Sequence, residues 1–138
     1  MKRSSIFLVL ILFVSLLGGH RSRHAAKGRC EGLLAWYADY NSGYFQDKLP
    51  KNVIIDYDEH EYLASTMLTN NGRFRISFNK DYASSPRVAH LFLLHEMCHI
   101  KTWDEWDNLS DHGPHWRSCM LVLDFDNAFR RELIDGYE

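Results

Sequence analysis

The stretch SSPRVAHLFLLHEMCHI, residues 84–100, leaves a chain like this few ways to fold. Ser85 is a favoured helix N-cap, and Pro86 suits the first helical position, where its missing N–H costs nothing. Beyond them Val88, Leu91, Phe92, Leu93, Leu94, Met97, Cys98 and Ile100 fall on nearly every side of the helix. A helix that is apolar all round is a buried helix, so the rest of the chain has to cover it. Its second half nevertheless carries His95, Glu96 and His99. Burying such groups without partners costs roughly a few kcal/mol each, and more for an unpaired carboxylate, so the fold must supply what satisfies them.

The spacing suggests a metal ion as that partner. Positions i and i+4 of a helix share one face, about 6 Å apart along the axis, so His95 and His99 can converge on one ion. Glu96 lies about 100° round from His95, where it reaches a water on that ion without being a ligand. Catalytic zinc takes three protein ligands and keeps one position open. Downstream, the third ligand comes from His112 or His115, with Asp104, Glu105, Asp107 and Asp111 as carboxylate alternatives. His112 is preferred, because Gly113-Pro114 starts a new helix and holds the residue before it rigidly. The acidic run 104–111 reads as a solvated loop. The other histidines read as ordinary: His90 as a packed or half-exposed side chain, His60 as solvated among Asp58, Glu59 and Glu61, and His20 and His24 as part of a linker.

The cover for the central helix is legible on both sides of it. A first helix begins at Glu31, with Leu33, Leu34, Trp36, Tyr37, Tyr40 and Tyr44 as its core stripe, and stops near Phe45 because Pro50 follows. Three strands come next, over Val53–Tyr57, around Tyr62–Leu68, and over Phe74–Phe78, where Phe74, Ile76 and Phe78 alternate with Arg75 and Ser77. Asn70-Asn71-Gly72 marks a hairpin turn between the last two. A helix follows His112, and a short amphipathic one spans Asp126–Ile134. The expectation is one small α+β domain over residues 31–138. At 46% apolar and 14% aromatic the chain is globular, and its formal charge of −2 offers no basic excess for nucleic acid.

Residues 1–19 stand apart from that domain. Lys2 and Arg3 precede an apolar run from Ile6 to Leu17, closed by Gly18-Gly19. A positive head and about a dozen apolar residues make a secretory signal peptide, since a bilayer span needs roughly 20. Arg21 and Arg23, where a cleavage site belongs, keep an uncleaved signal anchor open as the alternative. Either reading sends the chain to the export machinery, and a membrane is a partner only in the second. Residues 20–30 read as a linker. Loss of Lys2 and Arg3 with the signal takes the charge from −2 to −4. Export permits one disulfide among Cys30, Cys98 and Cys119, and the sequence does not choose the pair. Cys98 and Cys119 read equally well as buried small hydrophobes.

Several of these pieces, in order, resemble the SprT-like zinc metalloprotease domain, over about Trp36 to Leu123. Asn41-Ser42-Gly43-Tyr44-Phe45 with Leu49-Pro50 resembles its N-x-x-Y-F…L-P segment, RISFN its hairpin, LLHEMCH its active-site helix, and HGPHW its H-G-P-x-F segment, with Trp116 where Phe is usual. The resemblance implies that His95, His99 and His112 bind one zinc ion and that Glu96 is the catalytic acid/base. The family includes proteases that act on DNA–protein crosslinks. Within these 138 residues no cysteine pairs match the zinc ribbon of many relatives and no basic tail is read, and the pattern at 1–19 reads as an export signal. These departures point away from DNA repair. The expected function is therefore an exported, monomeric zinc metallopeptidase acting on protein or peptide, without nucleic acid. His115 and Tyr44 are candidates for a supporting or oxyanion-stabilising role. The alternatives are a non-catalytic zinc-stabilised binding module and an intracellular DNA-associated protease of the same type.

Overall fold

The computed structural model describes residues 31–81, 85–105 and 111–130. The first helix, α1, covers 31–45 and ends at Phe45 as the pattern predicts. Leu33, Tyr37, Tyr40 and Phe45 are buried along one face, with Trp36 and Tyr44 partly buried beside them. Leu34 departs from the expected stripe and is exposed, because it lies about 100° round from Leu33. The chain leaves α1 through two left-handed residues, Gln46 (φ 56°) and Asp47 (φ 59°), conformations that cost ordinary side chains energy. Asn41 holds this turn in place. Its amide donates to the Leu49 carbonyl at 3.0 Å and accepts from the Leu49 N–H at 3.0 Å. The Tyr37 hydroxyl adds a bond to the Pro50 carbonyl at 2.9 Å. The N-x-x-Y-F…L-P segment is thus a structural clamp, one that sets where the first strand begins.

The strands are β1 (Ile54–Asp58), β2 (Ala64–Leu68) and β3 (Phe74–Asn79), each within two residues of its expected ends. β3 is central, with β1 parallel to it on one side and β2 antiparallel on the other. β2 and β3 form the expected hairpin. Its turn is closed by the Gly72 N–H on the Thr69 carbonyl at 2.9 Å, with Gly72 at φ 73°, where a side chain would be strained. The alternation in β3 reads out directly. Ile76 and Phe78 are buried on the core side with Ile55, while Ser77 and Arg75 lie on the outer face with Asp56. A sheet covered on one face gives this period of two.

The central helix, α2 (Pro86–Lys101), packs across that covered face, against β2 and β3. Leu93, Leu94, Met97 and Cys98 are fully buried. Ser85 has the extended backbone of an N-cap, but its hydroxyl makes no capping bond. The start is set by Pro86 and by the Ala89 N–H on the Ser85 carbonyl at 3.1 Å. After a 3-10 turn at Trp103–Glu105, α3 (Pro114–Phe125) begins with Pro114 in its first turn, as expected, and packs on α2. Residues 128–130 start a further helical turn; the rest of the segment expected to be amphipathic, 131–134, lies outside the described residues, as do residues 1–30 and Asp107. Cys98 of α2 and Cys119 of α3 are joined by a disulfide, so neither is the free apolar thiol that burial alone suggests. Among the described residues no helix is long and apolar enough to cross a membrane.

Candidate metal centre

Two elements and one loop build the site. His95 and His99 project from one face of α2, and the residues before Pro114 bring His112 against them. The His95 Nε2 lies 3.3 Å from the His99 Nε2 and 3.1 Å from the His112 Nε2, and one ligand atom from each of the three falls within 4.8 Å of the others. Burial pushes the His95 and His99 imidazoles down to about 4, helped by neighbouring histidines. They are neutral near pH 7, with lone pairs available to a cation. Converging neutral imidazoles fit a metal ion and repel protonation, and three nitrogen ligands with an open side are compatible with zinc. The exposed Asp111 carboxylate lies 3.4 Å from His112 Nδ1, beside the third ring.

Glu96 lies beside this trio, 3% exposed, with a carboxylate oxygen 4.0 Å from His95 Nε2. Burial raises its carboxyl to about 7, against a hydrogen bond that favours the ionised form. That bond comes from Thr66 on β2, whose hydroxyl donates to Glu96 Oε2 at 2.7 Å. Nothing in a motif points to Thr66. The available signal is the β2 alternation, which turns Ala64 and Thr66 to the same side as the inward residues Phe78 and Ile76 of β3. Trp116 was visible only as an aromatic in the H-G-P segment. Its indole edge-packs on His95 and His112, with ring centroids 4.7 and 4.3 Å away, and its N–H donates to the His95 carbonyl at 3.4 Å.

The two remaining expected site residues are elsewhere. His115 points to the far side of α3, where it pairs with Glu105 at 2.8 Å beside a small separate hollow. Trp116 faces the trio and His115 does not because adjacent helical residues diverge by about 100°. Tyr44 stays against Tyr40, ring centroids 5.8 Å apart, and does not line the cleft. Of the acidic run, Asp104, Glu105 and Asp111 are exposed, as a solvated loop requires. His90 is buried, shares a 3.1 Å hydrogen bond with the Tyr40 hydroxyl and meets Trp36 edge-on at 4.2 Å. His60 corrects its expectation. It is half-buried, with Nε2 3.2 Å from the Ser77 carbonyl, because the connection before β2 folds back over the sheet.

The trio opens into a cleft of about 570 Å³, bounded by β2 and the residues before it on one side and by Asp111 and His112 on the other. Among the described residues β2 is the outer strand there, so its outer edge borders the cleft. Comparison with curated proteins and with solved structures gives no match. The SprT-like family model matches residues 33–131, which takes in α1, the sheet, all three histidines and α3. On that match, and with the histidines of its H-E-x-x-H and H-G-P segments converging, the chain belongs to the SprT-like family.

Proposed function

We propose that this chain is an exported zinc-dependent metallopeptidase that hydrolyses peptide bonds with Glu96 as general base. The observation that carries the reading is the buried Glu96 carboxyl next to three converging histidines. A purely structural ion needs the histidines, but not a carboxylate kept a few ångströms away and held by its own hydrogen bond. His95, His99 and His112 would hold a zinc ion, which would supply Lewis acidity and bring water ionisation toward neutral pH. Glu96 takes the proton of the attacking water and returns it to the leaving amine. Burial holds the carboxyl above its ordinary value, toward the range in which one group both takes a proton and returns it. Thr66 fixes which way the carboxylate faces. The outer edge of β2, without a strand partner among the described residues, offers backbone groups to an extended peptide and brings its carbonyl alongside the trio.

Export is supported by the residue pattern at 1–19 and by the Cys98–Cys119 disulfide, a bond that persists in oxidising compartments and is rare in the cytosol. The cleft is lined by Glu61, Glu96 and Asp111 with no lysine or arginine among the described residues, which favours a peptide over a nucleic acid as the occupant. The test is a Glu96→Gln variant assayed on an unfolded protein with zinc content measured in parallel. The expected result is unchanged zinc and cleavage reduced by about 10²–10⁴-fold. Equal zinc with no cleavage of any substrate by either protein sinks the enzymatic reading.

A further inference from the structure

The cleft presents a particular surface to whatever enters it. Phe92 lies one turn before His95 on α2, so its side chain shares the face of the metal ligands, and its ring centroid is 6.0 Å from the His95 imidazole. On the β2 side of the same cleft stand Tyr62, 68% exposed, and Leu63, 38% exposed. Ala64, the first residue of β2, lines the same cleft with a small side chain. Large apolar groups left in water along a concave wall are where an apolar ligand group gains most on binding.

We propose that this cleft selects peptides with a bulky apolar side chain next to the scissile bond, seated against Phe92, Tyr62 and Leu63, with Phe92 as the specificity-determining residue. The inference rests on the peptidase reading of the same site and adds to it the class of substrate. A leucine, phenylalanine or methionine at that position covers surface that a glycine or serine leaves wet. An acidic side chain is disfavoured twice, by loss of its hydration against the apolar wall and by Glu61 and Asp111 at the cleft margin. The size of the preference follows from hydrophobic pockets in general, at about 10–100-fold in kcat/KM between a bulky apolar residue and a small one.

The experiment digests a mixture of short synthetic peptides of randomised sequence with the zinc-loaded full chain and reads the residues flanking each cut by mass spectrometry. Enrichment of Leu, Phe, Met or Tyr next to the cut in the wild type, lost in Phe92→Ala, is the expected result. Because the readout is a ratio among peptides, it does not depend on how much of a variant is folded. Leu63→Ala, which changes a solvent-exposed side chain, carries the test if Phe92→Ala fails to fold, and reduces the same enrichment. Binding of an apolar peptide and its glycine counterpart to zinc-loaded Glu96→Gln measures the preference without turnover. Cleavage with no apolar enrichment, equal binding of the apolar and glycine peptides to Glu96→Gln, or enrichment untouched in both Phe92→Ala and Leu63→Ala overturns the specificity proposal and leaves the peptidase reading standing. Absence of any cleavage by the zinc-loaded wild type removes both.

Discussion

His90 and His95 stand on the same helix, five residues apart, and the protein treats them in opposite ways. His90 is buried against Trp36 and shares a hydrogen bond with the Tyr40 hydroxyl, a local arrangement complete within the protein. His95 faces two further imidazole nitrogens at 3.1 and 3.3 Å, a convergence that a shared cation fits. Burial lowers the pKa of both rings. What separates a packing histidine from a candidate ligand is therefore neither the helix nor the direction in which burial shifts the ring. It is what the neighbouring elements bring: a tyrosine from α1 in one case, His112 from the approach to α3 in the other.

That contrast is open to measurement. The largest effect belongs to His112→Ala, which removes one of the three converging nitrogens. Zinc affinity should fall by more than the roughly 10–100-fold typical of losing an outer partner, read by competition with a chromophoric chelator. Wild-type affinity in that variant breaks the distinction. Next comes replacement of both disulfide cysteines by serine. The bond spans a separation of 21 residues and ties the helix of His95 and His99 to the helix that follows His112. Its loss should lower unfolding stability by about 3 kcal/mol in denaturant titration, with zinc weakened as α3 loosens.

His90→Ala tests the other side of the comparison. Losing the Tyr40 bond and the Trp36 contact should cost about 1–3 kcal/mol of stability while zinc stoichiometry stays at wild-type level. A matching loss of zinc in folded protein would make the two histidines one system. The smallest effect is expected from Thr66→Val. Burial raises Glu96 from 4.5 to about 7, and the Thr66 bond works against that rise. A bound cation also favours the ionised carboxylate, so the acidic limb of kcat/KM should lie between 4.5 and about 7. Removing the hydroxyl moves that limb to higher pH; a limb that stays put would mean Thr66 does not act on Glu96.

Much of this molecule follows from local pattern. The prolines at the starts of α2 and α3, the alternation Phe74-Ile76-Phe78 and the Asn70-Asn71-Gly72 turn determine those two helices, β3 and the hairpin, because each depends on residues within a few positions of one another. The same holds for His95, Glu96 and His99, whose shared placement is a property of helical period. What tertiary structure alone decided depends on contacts between residues far apart in the chain. Strand order is one case, with β1 paired to β3 across the intervening β2. The bonding of Cys98 to Cys119 is another, since it required two helices to pack. Thr66 meets Glu96 across a separation of 30 residues, and no spacing in the sequence marks it. His115 and Tyr44 carry the right chemistry for a site but sit outside the cleft, because side-chain direction is fixed by the helix that bears them and by what that helix packs against. Period and caps determined which residues could share a face; packing determined which faces meet.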